Sequence, residues 1–199
     1  SYRFRTTAAI SSLALTPSGH RLAVGTNDAT EVHSISDDGL GGVHVEPYLL
    51  LPELAAQQGG VAFAADGWLG ATRLIAGAAN TVSVVDLTSG GTVREYTSYG
   101  RVRCVAISKL GQLVLFGGFD KTVSYRVLDH GANLTHFECP GTVKSVHLSA
   151  NASCLAVGGD DGSGGGFVKY YDALTNNLLA SWKHPKEVWS VRISPDLTY

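Results

Sequence analysis

Five short segments of the chain superpose on one another without gaps, and that repetition restricts the fold more than any single residue does. Val102–Ser108 (VRCVAIS), Val143–Ser149 (VKSVHLS) and Val188–Ser194 (VWSVRIS) share one pattern, Ile10–Thr16 (ISSLALT) joins them, and Gln58–Ala64 (QGGVAFA) is a weaker copy. Their starts at 10, 58, 102, 143 and 188 are 48, 44, 41 and 45 residues apart. After each of the first four copies an apolar run ends in glycine: Leu22–Gly25, Leu74–Gly77, Leu113–Gly117 and Leu155–Gly158. A turn and a third strand follow, at Glu31–Ile35, Thr81–Asp86, Thr122–Leu128 and Phe167–Asp172. A looser fourth strand closes the unit, as at Asn133–Glu138 and Asn177–Trp182. The 24 glycines against 6 prolines suit tight turns. Helical periodicity is absent except at Pro52–Gln58 (PELAAQQ), read as a short helical turn within a loop.

Alternation in the first strand of each unit sharpens the reading. Side chains along a strand point to opposite faces with period two. One face carries mainly small residues (Ser12, Ala14; Gly60, Ala62; Cys104, Ala106; Ser145, His147), ending in Ser190 and Arg192. The other is large and apolar in all five copies (Leu13, Leu15; Val61, Phe63; Val105, Ile107; Val146, Leu148; Val191, Ile193). A small face set against a large one lets successive sheets nest without voids. The expectation is an all-β fold, a β-propeller of four-stranded antiparallel blades, with about four blades and the first strand of a fifth. The blade boundaries read as 8–54, 55–100, 101–141 and 142–185, with 186–199 starting the next. Val146 is assigned to the core, and Lys169 to a solvated third-strand face.

The units resemble WD repeats. Gly117-Gly118-Phe119-Asp120-Lys121-Thr122-Val123 resembles that family's turn between second and third strands, and Gly158-Gly159-Asp160-Asp161-Gly162 begins the same way. Tyr170-Tyr171-Asp172 and Val84-Val85-Asp86 stand in place of the signature Trp-Asp, with the Trp replaced. Ser194-Pro195-Asp196 and Thr16-Pro17-Ser18-Gly19 match the turn after the first strand. The Gly-His pair is missing; only His184, four residues before Val188, stands where the resemblance implies a histidine bonded to the turn Asp. Ala79–Asp86 also resembles the bacterial surface-layer type of propeller repeat, which shares the fold.

Composition narrows the function classes. Fifteen basic residues face 17 acidic ones, and no basic block occurs, so phosphate-driven nucleic-acid binding has no electrostatic support. No run of 18 apolar residues is present, so no membrane span is expected. Cys104, Cys139 and Cys154 cannot all pair within the chain, and their spacing is not that of a zinc site. They read as small buried residues in a reducing, cytoplasmic setting. With no methionine and no leader, the sequence reads as a piece of a larger chain or complex.

Catalytic and cofactor motifs find little support. His44 and Glu46 share a strand face but lack a third metal ligand. His147 reads as a hydrogen-bonded interior residue rather than a base. Asp160–Gly166 (DDGSGGG) lacks both calcium-loop and phosphate-loop spacing, and reads as a flexible insertion. Asn133-Leu-Thr and Asn151-Ala-Ser match glycosylation acceptors. No G-x-S-x-G is present. The expectation is no catalytic residue, no metal and no cofactor.

Binding is better supported. The resemblance implies ligands on the face formed by first-strand entries and second-to-third-strand turns. Those positions hold Asn27, Arg101, Arg103, Phe119, Thr142, Lys144, Lys186, Glu187 and Trp189. Arg103, Lys144 and Trp189 occupy one position in three successive units, on the large apolar face by alternation. Aromatic and Arg anchors of this kind dominate interfaces. Arg101, Arg103, Phe119, Lys144 and Trp189 are the candidate partner-binding residues, suited to acidic or phosphorylated peptides or proteins. The segment Glu46–Gln57, containing Tyr48, Leu49, Leu50 and Leu51, reads as a long entry loop, its apolar run being a strand edge, a packed cover or a partner contact. The function expected is a non-catalytic interaction platform or scaffold. The alternatives are a propeller domain of an enzyme or surface protein with active residues elsewhere, and a targeting module fused to a catalytic domain such as a kinase.

Overall fold

The computed structural model describes residues 6, 8–16, 18–39, 42–52, 54, 59–64, 73–108, 112–128 and 133–194. Pro17, Pro195, Asp196, Gln58 and most of Pro52–Gln58 lie outside the described residues, so the turns and the helical turn read there go with them. Sixteen strands fall into four antiparallel sheets, each of four strands in chain order, and no helix occurs among the described residues.

The first sheet is β1 (Ile10–Leu15), β2 (Arg21–Thr26), β3 (Thr30–Asp37) and β4 (Val43–Leu51). The second is β5 (Val61–Phe63), β6 (Arg73–Ala78), β7 (Thr81–Asp86) and β8 (Thr92–Thr97). The third is β9 (Val102–Ile107), β10 (Leu113–Gly118), β11 (Thr122–Val127) and β12 (Asn133–Glu138). The fourth is β13 (Val143–Leu148), β14 (Cys154–Asp160), β15 (Gly166–Asp172) and β16 (Leu178–His184). β1, β5, β9 and β13 are the inner strands, and each packs on its successor.

The core lies between sheets rather than within one. Cys104, Leu115, Tyr125 and Phe137 of the third sheet pack on Val146, Leu148, Val157 and Phe167 of the fourth. The second sheet meets the third through Ile75, Val82, Val84, Val105 and Phe116. The first meets it through Ala23, Val32, Val61 and Leu74. Each large face therefore packs on the preceding sheet. On β1 that face meets no other sheet among the described residues, and Leu13 is 58% exposed. The four sheets form an open arc.

Glycines closing the second strands permit this approach. A Cβ on Gly77 would lie 2.7 Å from Val102 Cγ1, one on Gly117 2.8 Å from Val143 Cγ1, and one on Gly158 2.6 Å from Val191 Cγ1 and 2.9 Å from Val188 Cγ1. The next inner strand begins where that side chain would stand, which only glycine allows.

Small-face residues also fasten the exposed backbone edge of the next inner strand. Val61 N–H donates to Ser12 Oγ at 3.1 Å, and Val191 N–H donates to Ser145 Oγ at 3.1 Å. Residues 188–194 thus occupy the place of a fifth inner strand, without a ladder partner among the described residues. Three local readings change. Glu46–Leu51 belongs to β4 and is not a loop: Leu49 and Leu51 pack inward and Tyr48 Oη donates to Leu87 O at 2.9 Å. Lys169 is half-buried on the side of the third sheet, donating to Glu138 O at 3.1 Å, because it shares a strand face with Phe167 and Tyr171. The 160–166 segment is a built turn: Asp161 Oδ1 accepts from Ser163 N, Ser163 Oγ and Gly165 N at 2.8–3.0 Å.

Candidate functional site

The inner strands line a central cavity of about 490 Å³. Its walls are largely the small faces of β1, β5, β9 and β13, with Trp189, Ser190 and Arg192. Arg103, Lys144 and Arg192 contribute positive charge to the lining, and no described lining residue is a carboxylate.

At one end of this cavity the register of the inner strands slips. Ser11, Arg103 and Lys144 are skipped in the pairing of β1, β9 and β13 with their second strands. A residue skipped in a ladder is released from strict alternation and can be re-aimed. Arg103 and Lys144 are therefore not committed to the apolar face that alternation assigns them. The Arg103 guanidinium lies 5.9 Å from the Phe119 ring centroid and 5.4 Å from that of Trp189. Lys144 Nζ lies 3.9 Å from the Trp189 centroid, 2.6 Å from Glu187 Oε2 and 3.8 Å from Asp160 Oδ2. Its side chain is only 9% exposed. Phe119 and Trp189 remain 48% and 61% exposed.

Four of the five anticipated residues thus converge: Arg103, Phe119, Lys144 and Trp189. Arg101 neighbours them through its backbone, its carbonyl accepting Phe119 N–H at 3.0 Å. That carbonyl also sits where a side chain on Gly118 would point. The carboxylates Glu187 and Asp160, the first of them mapped to this face from sequence, lie beside Lys144, and Arg103 lies against both exposed rings.

The turn Asp carries a contact that the sequence did not reveal. Ser98 Oγ donates to Asp120 Oδ2 at 2.9 Å, and Thr122 N–H donates to Asp120 Oδ1 at 3.2 Å. Ser98 stands four residues before Val102, where the resemblance places a histidine. His184 Nδ1 faces the backbone of Lys186, at 2.9 Å from the carbonyl oxygen. The signature acids act as turn caps. Asp86 accepts from Thr88 and Ser89 N–H at 2.7 and 3.1 Å, and Asp172 from Leu174 and Thr175 N–H at 2.9 and 2.8 Å. These bonds hold both carboxyls below the usual aspartate range.

The sequence pattern of the WD domain, G-beta repeat, family matches residues 90–125, which run from β8 through β9 and β10 into β11. The matched unit begins on the outer strand of one sheet and ends within the next. The match covers one repeat, 36 of the chain's 199 residues. A comparison with curated proteins finds no match. The matched unit contains Arg101, Arg103, Phe119 and the Ser98–Asp120 pair. WD-repeat domains typically serve protein–protein contact without catalysis. The buried thiols offer no nucleophile: burial pushes Cys104 up to about 12 and Cys139 up to about 11. His44 lies 3.8 Å from Asp38, and no metal-ligand cluster occurs among the described residues. No described helix is long and apolar enough to cross a membrane.

Proposed function

We propose that this chain is a non-catalytic interaction platform whose entry face takes acidic or phosphorylated peptides of a protein partner. The observation that supports this reading is the Arg103 guanidinium set against the exposed rings of Phe119 and Trp189, at the mouth of a cavity with no carboxylate among its described lining residues. Guanidinium binds carboxylate and phosphate oxygens bidentately, and exposed aromatic rings bury apolar area around such a bond. Arg101 extends the positive edge. Lys144, beside Glu187 and Asp160, orients Trp189. The three cysteines are free thiols, which suits a reducing, cytoplasmic location.

The test is peptide binding to the full-length protein and to folded Trp189→Ala and Arg103→Glu variants. A phosphorylated or acidic peptide should lose roughly 10-fold or more in affinity with either change. Equal affinity of both folded variants for every peptide bound by the wild type overturns the entry-face site.

A further inference from the structure

His147 breaks the small-residue rule of the inner strands. The matching positions of β1, β5 and β9 hold Ala14, Ala62 and Ala106. Its Nδ1 accepts the Ile193 N–H at 3.0 Å. Four residues earlier along the same segment, Trp189 projects into the entry-face cluster. Two hydrogen bonds join side chains of the inner strand to the 188–194 backbone, that one and the Val191 N–H to Ser145 Oγ. The fourth sheet adds the Gly159 carbonyl, which accepts the Val188 N–H at 3.2 Å, and the Lys144 ammonium on the Trp189 ring; apolar contact comes from Val188 and Val191 over Gly158 and from the buried Ile193.

We propose that His147 is a pH-sensitive latch, whose neutral ring holds 188–194 against the fourth sheet and whose protonation releases the segment together with Trp189. A neutral imidazole with its proton on Nε2 presents a lone pair at Nδ1. Protonation puts a second donor opposite the Ile193 N–H, and the bond is lost. The surroundings favour the neutral ring. Burial first, then the charge of Arg192, pull its pKa down. Ala156 opposes it on β14, and the facing parts of β1, β5 and β9 in the cavity carry only one other charge, Arg103. Lys144 lies three positions along its own strand, about 10 Å by strand rise. The carboxylates Asp160 and Glu187 are engaged with Lys144 at that far end. The histidine's pKa is lowered in the fold, so the latch is complete above the ordinary histidine value of 6.5 and loosens as pH falls below it.

The latch does not depend on what binds the entry face, and its test needs no ligand. Amide exchange of the full-length protein is followed by NMR from about pH 7.5 to about pH 5, as protection factors corrected for intrinsic rates. Ile193 should lose about 10-fold or more in protection, while Val157 of β14 keeps its own. In His147→Gln, whose amide oxygen accepts without titrating, the Ile193 loss should fall below about 2-fold. Nitrogen shifts of wild-type His147 should show Nε2 protonated and Nδ1 bare at neutral pH. Undiminished Ile193 protection at low pH, an equal loss at Val157, an equal loss in His147→Gln, or a proton on Nδ1 at neutral pH each overturn the proposal.

Discussion

The ammonium of Lys144 rests 3.9 Å from the centroid of the Trp189 ring, so a charge from the fourth inner strand fixes an aromatic side chain of the segment beyond it. Glu187 completes the arrangement at 2.6 Å from the same ammonium. A cation over an indole face that is also shielded from water contributes on the order of 1–2 kcal/mol.

Lys144→Ala should therefore destabilise docking of 188–194 by about 1–3 kcal/mol, since it strands two carboxylates and the ring together. Glu187→Ala should cost less than about 1 kcal/mol, because the acid is largely exposed and Asp160 remains beside the lysine. Thermal melts of the single variants and of the double variant measure the coupling. Additive effects would show that the three groups do not act as a unit.

Val146→Asp should unfold the protein, because Val146 is 4% exposed inside the contact between the third and fourth sheets, where a carboxylate finds no partner. Lys169→Met keeps the stem and loses one exposed bond to Glu138 O, a cost of under about 1 kcal/mol. Lys169→Asp faces that carbonyl with a like charge and should cost about 1–3 kcal/mol. Circular dichroism melts rank the three, and a Lys169→Asp variant as stable as Lys169→Met would place the side chain in water after all.

Gly117→Ala should destabilise by about 1–3 kcal/mol, as the methyl meets Val143 at the start of the next inner strand. Gly158→Ala presses on Val188 and Val191 instead. Its main effect should be loss of amide protection at 191–193, with the first three sheets unchanged. Protection lost evenly over all four sheets would contradict this reading.

Acid should find the turn caps. Asp86 and Asp172 have folded pKa values below the ordinary 3.8, so their contribution is present above that value and is lost as pH falls below it. Asp86→Asn and Asp172→Asn should lower the melting temperature at neutral pH and flatten its decline below pH 3.8. Parallel pH curves for wild type and variants would remove the carboxylates from the acid response.

Repetition made the inner strands and the glycine ends of the second strands legible, because nesting of sheets constrains side-chain size at every copy. Convergence of Arg103, Phe119 and Trp189 was legible from position alone. The aim of Arg103 and Lys144 was not, since a skipped residue in a ladder leaves the alternation of the sequence intact. β4 was hidden for a related reason: its pairing skips Tyr48, beside Pro47, and its run of leucines does not alternate cleanly. Ser98 carries no signature of its own, as one serine before a valine is common in any strand-rich chain.

Ser12 and Ser145 hold the backbone of the inner strand that follows, while the matching residue of the second sheet is Gly60, which has no side chain to offer Val105 N–H. A series of units joined by nearest-neighbour contacts yields first where one joint is weakest. The seam between the second and third sheets has apolar packing and one backbone bond, Val102 N–H to Ala79 O at 2.7 Å, but lacks this side-chain fastening, so mechanical or thermal opening should begin there and divide the arc into two pairs. A serine at that seam would meet the amide at close range, its Cβ 3.2 Å from Val105 N. Evolution or design thus has, at a single codon, a means to set whether the two halves breathe independently or move as one body.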